Sequence, residues 1–149
     1  MNDTSIERAT AGDAPAIVRL IAQLRELEGL TEPVSADAVR AYIEDPDTVV
    51  LLAEDSESGE VVGLLSLRVM ADLFHGGTTA LVQELVVDED HRGTGIGGAL
   101  LDVAVELAFE QGCLEVSVTT GEENEGGQAL YRSRGFEQDG VCFELHADG

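Results

Sequence analysis

Residues 86–101 read VVDEDHRGTGIGGALL, and this stretch decides how the rest of the chain is interpreted. A β-rich apolar run ends at Val87, a short polar segment follows, and a glycine-rich turn then opens a helical pattern. Glycine has no Cβ atom, so a ligand can approach the backbone closely there. The unpaired N–H groups of a first helical turn, with the positive end of the helix dipole, favour an anion. The stretch therefore predicts a diphosphate site, in which Arg92 adds a forked cationic donor.

Three other interpretations fit the glycines less well. A flexible turn that only lets the helix pack closely is one, but glycine weakens a helix start unless something compensates. Residues 93–98 also match the dinucleotide fingerprint G-x-G-x-x-G, and Glu115 lies near its expected ribose-binding acid. That fingerprint belongs directly after the first strand of a βαβ unit, whereas Asp88–Arg92 intervenes here in the middle of the chain. A P-loop is excluded because the chain has no lysine.

Hydrophobic periodicity on both sides of this stretch predicts an α/β chain. The element order is strand, two helices, three strands, helix, strand, helix, strand, which predicts a mixed sheet with helices on both faces. No linker or repeat interrupts it, so residues 1–149 are expected to form a single domain. The expected strands are 4–9, 48–54, 61–70, 79–87, 114–119 and 141–146; the expected helices are about 13–28, 35–45, 95–111 and 128–134.

The charge of the chain limits its partners. Of 149 residues, 30 are acidic and 8 are basic, all of them arginine, for a formal net charge of -22. Such a charge repels phosphate backbones and anionic lipids, which excludes nucleic acid and membrane surfaces as general partners. High net charge keeps a protein in solution in concentrated salt, so the acidity and the missing lysine predict a halophilic source. An ordinary acidic enzyme is the alternative.

Location and redox state follow from what the sequence lacks. The N-terminal residues MNDTSIERATAGD have no basic stretch followed by an apolar one, and no apolar run reaches about 18 residues. We therefore expect a cytoplasmic protein. Cys113 and Cys142 lie in apolar sequence and are expected to be small buried side chains rather than a redox pair. No metal site is predicted.

Two blocks of the sequence resemble a known family. Residues 92–97 have the form R-x-x-G-x-G after the strand Glu84–Val87, and residues 124–136, NEGGQALYRSRGF, follow a looser N…A…Y…G-F pattern. Both resemble signatures of the GNAT superfamily of acetyl-CoA-dependent N-acetyltransferases, and the element order agrees along essentially the whole chain. Ala129 lies closer to Tyr131 than in the family pattern, and Asp88 stands where proline is often found. The resemblance implies a GNAT-like fold, with a mostly antiparallel mixed sheet flanked by helices on both faces.

The resemblance also implies residues for acetyl-CoA. The end of the fourth strand would pair with the pantetheine arm, N–H groups of the glycine turn would hold the pyrophosphate, and Asn124 would contact the arm. Arg132 or Arg134 would reach the 3′-phosphate or be plain surface charges. The implied cofactor-binding residues are Leu85, Val86, Val87, Arg92, Gly93, Thr94, Gly95, Ile96, Gly97, Gly98 and Asn124.

The implied reaction is direct attack of a primary amine on the thioester in a ternary complex. Tyr131 matches the tyrosine that protonates the departing thiolate, with a packing tyrosine as the alternative. Glu84 is the candidate base, acting directly or through water, with a salt-paired strand residue as the alternative; a positioned acid or base is worth roughly a hundred- to ten-thousand-fold.

The partners implied are acetyl-CoA and an amine acceptor, which is either a small molecule or a protein N-terminus. An acidic cleft is expected to attract cationic amines. A homodimer is possible, since family members often dimerise. The rival function is a CoA-binding sensor or regulatory module without turnover, which Glu84 and Tyr131 together disfavour. A purely structural interaction domain is disfavoured by the glycine run.

Overall fold

The computed structural model describes residues 3–147. Short 3-10 turns at Ala11–Asp13 and Glu89–His91 join the longer elements. In chain order the elements are β1 (Thr4–Arg8), α1 (Ala14–Leu27), α2 (Ala36–Glu44), β2 (Thr48–Asp55), β3 (Val61–Asp72), β4 (Gly77–Val87), α3 (Ile96–Glu110), β5 (Val116–Val118) and α4 (Glu125–Ser133). The predicted order is confirmed from β1 to α4.

The helix boundaries follow from local chemistry. Pro15 lies in the first turn of α1, where its missing N–H has no partner to lose. Gly29 follows the same helix with φ of 76°, which suits a residue without Cβ. The hydroxyl of Ser35 accepts from the N–H of Ala38 at 3.0 Å and caps α2, as its sequence position predicts.

The five strands form one mixed sheet in the order β1-β2-β3-β4-β5. The first four pair antiparallel, and β5 runs parallel to β4. One buried cluster packs α3 and Tyr131 against one face, and a second packs α1 and α2 against the other. The predicted α/β fold, a mostly antiparallel mixed sheet with helices on both faces, is confirmed.

A β-bulge in β4 changes which face its side chains meet. Ser66 lies opposite Glu84 while Leu67 lies opposite Val82, so Gln83 is an extra residue on β4. An extra residue reverses the alternation of the side chains that follow. Val82 accordingly packs with the α3 cluster, whereas Val86 packs with the α1 and α2 cluster.

The same region leaves part of β4 without a strand beside it. β5 pairs with β4 only at Ala80, Leu81 and Val82. Beyond Val82 the side of β4 that faces β5 is therefore not covered by any strand of the described residues. We call the β4 backbone from residue 83 to residue 87 on that side the open edge.

The predicted last strand at 141–146 is wrong. Within the described part of the chain no strand follows α4, and the apolar side chains of Val141, Phe143 and Leu145 are 76%, 91% and 100% exposed. Alternating apolar residues only make a segment suitable for a sheet, and a strand forms where a neighbouring edge accepts its hydrogen bonds. Cys142 lies on this segment and is exposed, which corrects the expectation that both cysteines are buried; Cys113 is buried.

None of the helices in residues 3–147 has the length and apolarity needed to cross a membrane.

Candidate active site

The glycine turn connects the end of β4 to an uncapped helix. Gly93 and Gly95 have φ of 77° and 87°, a region that only glycine enters at little cost, so the backbone path itself requires them. Gly95 is the N-cap of α3, and no side chain among the described residues accepts the first N–H groups of the helix. The hydroxyl of Thr94 donates to the carbonyl of His91 and closes the turn. The first N–H groups of α3 therefore have no side-chain acceptor among the described residues, and the predicted diphosphate site stays a prediction.

The last two glycines of the run and Ile96 meet the protein interior. Ile96 is 3% exposed and packs in the α3 cluster. A Cβ at Gly97 would touch Val87 at 3.6 Å, an ordinary contact. A Cβ at Gly98 would meet the end of the flexible Arg134 side chain, which can move aside, so no fixed contact in the structure requires this glycine. Its predicted part in ligand approach stays a prediction.

The open edge presents only some of the predicted strand backbone. The N–H of Asp88 donates to the carbonyl of Val62 on β3 at 2.8 Å. Backbone groups alternate along a strand, so those of Val86 also face β3, while those of Leu85 and Val87 face the open edge. The Nε of Arg92 donates to the carbonyl of Val87 at 3.1 Å, which draws this side chain back to the end of β4.

Asp88 organises the start of the turn in a way that the sequence did not reveal. It is 7% exposed and accepts from Gln23 Nε2 at 2.8 Å, from Arg19 Nη1 at 3.1 Å and from the N–H of Asp90 at 3.3 Å. Gln23 and Arg19 share Oδ1, while Oδ2, which accepts from Asp90, also lies 2.9 Å from His91 Nδ1. The hydrogen bond from Gln23, more than those of the other partners, lowers the pKa of Asp88 to about 2. Arg19 and Gln23, four residues apart on one face of α1, were the available signal.

His91 is held by the same network. Its hydrogen bond with Asp88 raises the pKa of His91 above the ordinary value. The second ring nitrogen lies 3.9 Å from an oxygen of Asp55 on β2. His91 therefore ties the glycine turn to the sheet and lies in a structural network rather than in a pocket.

Glu84 lies at the wall of a pocket between the sheet and the pair α1 and α2. The pocket has a volume of about 340 Å³. The hydroxyl of Ser66 donates to Glu84 Oε1, and the N–H of Glu84 donates back to Ser66 Oγ at 2.9 Å. Ser66 is 3% exposed, so this reciprocal pair fixes the half-buried carboxylate on the pocket side of β4.

Tyr42 is a further polar group of this pocket, and the sequence analysis missed it. It lies on α2, three residues after the buried Val39. Its hydroxyl donates to Gln83 Oε1, and the Arg68 guanidinium carbon lies 5.8 Å from the centre of its ring. Burial raises the pKa of the Tyr42 phenol, so the hydroxyl stays a hydrogen-bond donor at neutral pH.

Tyr131 lies on the other face of the sheet. It is 9% exposed, belongs to the α3 cluster and stacks on Phe136 with ring centres 5.9 Å apart. Burial raises the pKa of its phenol, which keeps the proton on a group expected to act as an acid. Glu84 and Tyr131 thus approach β4 from opposite faces of the sheet and are not brought into contact with each other.

Asn124 acts as the N-cap of α4. Its Oδ1 accepts from the N–H of Gly127 at 3.0 Å, and its Nδ2 donates to Thr120 Oγ1 at 2.9 Å. The predicted contact of Asn124 with the cofactor arm stays a prediction. Arg134 pairs with Asp102 at 3.1 Å on the surface of α3. Among residues 3–147 no group of three or more His, Cys, Asp or Glu side chains could hold a metal ion.

Known proteins of one family are similar to most of this chain. The model of the family described as "Acetyltransferase (GNAT) family" matches residues 17–136. The uncharacterized N-acetyltransferase YhfO of Bacillus subtilis is 30% identical over 137 residues, which cover 91% of each chain. The aminoalkylphosphonate N-acetyltransferase of Salmonella typhimurium is 32% identical over 133 residues, covering 89% of this chain and 84% of that one.

A solved structure shows the same fold at similar identity. The transcriptional regulator from Bacillus halodurans C-125 superposes with a TM-score of 0.86 at 27% identity, over 97% of this chain and 100% of that one. The likeness therefore extends over nearly the whole chain, including both predicted signature blocks.

Proposed function

The chain belongs to the GNAT family of acetyltransferases, and we propose that it transfers the acetyl group of acetyl-CoA directly to a primary amine in a ternary complex. The observation that carries the proposal is the open edge of β4, which leads to the uncapped N-terminus of α3. Glu84 and Tyr131 lie on opposite faces of the same sheet. An extended amide-containing arm can pair with such an edge, and a diphosphate suits such a helix end.

The binding roles divide along this path. The backbone of Leu85 and Val87 would pair with the pantetheine arm, because these residues face the open edge. The N–H groups that begin α3, with the guanidinium of Arg92, would hold the pyrophosphate. Arg92 has no acidic side chain within 4.0 Å among the described residues, so none of these residues neutralises its charge.

The proposed chemistry is nucleophilic acyl transfer. The nitrogen lone pair of the amine attacks the thioester carbonyl, the C–N bond forms, and the C–S bond breaks as the tetrahedral intermediate collapses. Glu84 takes the proton that the amine loses, directly or through one water. Tyr131 gives its phenolic proton to the departing thiolate, and a backbone N–H at the open edge stabilises the oxyanion. The products are the N-acetylated amine and CoA.

The test combines binding with turnover. Saturating acetyl-CoA, at about a hundred times its dissociation constant, should stabilise the folded protein by roughly 2.7 kcal/mol in a melting experiment. Thiol release is then followed with a panel of primary amines and a peptide with a free N-terminus. No stabilisation would contradict any cofactor-dependent function, and turnover with at least one amine is the expected result.

A CoA-binding sensor is the second candidate. The observation that favours it is the 27% identity to a solved chain that is named as a transcriptional regulator. Stabilisation by acetyl-CoA without thiol release from any amine would support the sensor over the enzyme. The pairing of Glu84 with Ser66 and the raised pKa of Tyr131 favour the enzyme.

The remaining expectations rest on the sequence. The net charge of -22 and the absence of lysine support work in concentrated salt and a halophilic source. A cytoplasmic location and a homodimer stay predictions. Aminoalkylphosphonate and thialysine acetyltransferases among the relatives make a small-molecule acceptor the first choice to test, before a protein N-terminus.

A further inference from the structure

The pocket beside Glu84 is apolar over most of its wall. Aliphatic side chains of α1, α2, β2 and β3 form it, among them Ile17, Ile21, Val39, Ile43, Val50 and Leu64. Only two charged side chains line it, Glu84 from β4 and Arg25 from the last turn of α1. The pocket wall is therefore mostly apolar and carries one negative group and one positive group.

Arg25 is one of four arginines that have no acidic oxygen within 4.0 Å among the described residues, and it is the one of the four that lines this pocket. Acidic residues outnumber arginines 30 to 8, and Arg19, Arg40, Arg68 and Arg134 each have an acidic oxygen within 4.0 Å. Arg25 has no such partner among the described residues. It is half-buried and lines the pocket, and its Nε donates to the backbone carbonyl of Glu32 at 2.9 Å, which restrains the side chain.

The two charges of the pocket do not neutralise each other. Arg25 and Glu84 line the same pocket, yet no ion pair of 4.0 Å or less joins them. A half-buried charge is stabilised when an opposite charge with hydrogen-bonding geometry lies beside it. The pocket is therefore complementary to a ligand that carries both signs, with apolar matter between them.

We propose that the acceptor is a primary amine whose apolar chain or ring carries an anionic group, with the amine at Glu84 and the anion at Arg25. The proposal rests on the acetyltransferase function above and names its substrate class. It differs from the sequence expectation of a purely cationic amine, because an acceptor with two positive ends would place one of them at Arg25. The overall acidity of the chain does not set the charge of this pocket.

Matched amines test the substrate class directly. Thiol release at saturating acetyl-CoA is measured with 6-aminohexanoate against hexylamine and 1,6-diaminohexane, and with 4-(aminomethyl)benzoate against benzylamine. Each pair shares its apolar body and reacting amine and differs in the distal group. We expect kcat/KM to be about tenfold or more higher for the member with the carboxylate, as for a hydrogen bond to a charged group.

Three variants then assign the preference to one side chain. Arg25→Gln should remove the preference for the carboxylate, because it raises KM for the amino acids by a larger factor than KM for hexylamine and benzylamine. Arg25→Lys should retain a large part of it, because the positive charge remains. Arg8→Gln is the matched control: it makes the same change in net charge at an exposed residue of β1 outside the pocket, and it should leave the preference intact.

The outcomes separate this proposal from the function on which it rests. Turnover that favours hexylamine, 1,6-diaminohexane or a peptide N-terminus over the amino acids overturns the substrate class and leaves the acetyltransferase function standing. The same is true if Arg25→Gln lowers kcat/KM for every amine alike. Absence of thiol release from all the amines overturns both.

Discussion

At the residue scale, the single side chain of Asp88 connects separate parts of the structure. Its carboxylate joins α1 to the first turn after β4 through Arg19, Gln23 and His91. Asp88→Asn removes the charge but keeps the shape, so the partners lose charge-assisted hydrogen bonds. We expect the free energy of unfolding to fall by about 1–3 kcal/mol, with a higher KM for acetyl-CoA and little change in kcat. Denaturant unfolding and steady-state kinetics measure these effects.

Asp90→Asn is the control for Asp88→Asn, since Asp90 is exposed and belongs to the same turn. It should change neither the stability nor the KM. Equal effects of the two substitutions would show that general negative charge in the turn, rather than the Asp88 network, is responsible.

The pKa values give this network a pH dependence with a defined sign. The folded-state pKa of Asp88 is lowered from 3.8 to about 2, so its stabilisation is present above about pH 4 and is lost as the pH falls toward 2. The pKa of His91 is raised above 6.5, so its contribution is present below that pH and is lost as the pH rises through the raised value. The difference in stability between the wild type and Asp88→Asn should therefore shrink at both ends of the pH range. A difference that stays constant from pH 2 to pH 9 would contradict the assignment.

Tyr131 and Tyr42 are the two tyrosines of the chain and allow a paired experiment. Tyr131→Phe should lower kcat by roughly a hundred- to ten-thousand-fold while acetyl-CoA still stabilises the protein, because only the proton donor is lost. Tyr42→Phe removes the hydroxyl that donates to Gln83 next to the pocket beside Glu84, where the amine is proposed to bind. The substitution should therefore act mainly on the KM for the amine. Stopped-flow and steady-state assays with both variants decide whether Tyr131 is the acid; an unchanged kcat for Tyr131→Phe would remove it from that role.

At the scale of elements, the N-terminus of α3 depends on backbone conformation at a single residue. Gly95 has φ of 87°, where an L-residue costs about 1–2 kcal/mol, while Gly97 lies inside the helix. Gly95→Ala should lower the free energy of unfolding by about that amount and weaken the binding of acetyl-CoA. Gly97→Ala should be neutral or stabilising, because a Cβ there makes only ordinary contacts and alanine favours helix. Thermal melts with and without acetyl-CoA compare the two, and equal destabilisation would show that space rather than conformation limits the turn.

The same scale shows what could be predicted from the sequence. The glycine turn, the Ser35 cap of α2 and the order of elements from β1 to α4 were predictable because each depends on nearby residues. The bulge at Gln83 was not, because it is defined by register with β3, and it alone places Glu84 on the pocket face. The Asp88 network joins residues 65 or more positions apart. The role proposed for Arg25 depends on the absence of an acidic oxygen within 4.0 Å of it in residues 3–147, which cannot be predicted from the sequence. Residues 141–146 were mispredicted for the opposite reason. Their alternating apolar pattern can be read from neighbouring residues, but a strand also requires pairing with a distant part of the chain.

At the scale of the whole molecule, a net charge of -22 on 149 residues should make the stability of the fold depend on salt concentration. The screening length is about 10 Å at 0.1 M salt and about 3 Å at 1 M, so self-repulsion should weaken across that range. We expect the melting temperature to rise from 0.1 M to 2 M KCl, and the affinity for the anionic acetyl-CoA to hold or increase. Sucrose at equal osmolality is the control, since it strengthens burial without screening charge. A steep loss of affinity in KCl would contradict this account of the acidity.

The open edge of β4 has a last consequence, for the protein without its ligand. Unpaired strand edges are templates on which other chains can add, and they lead to aggregation unless something blocks them. In the liganded enzyme the pantetheine arm would occupy this edge as a temporary extra strand. In the empty enzyme at low salt, electrostatic repulsion opposes such pairing, because two copies that each carry a charge of -22 repel each other. The acidity that first excluded nucleic acids thereby also protects the short stretch of backbone that the substrate needs to find uncovered.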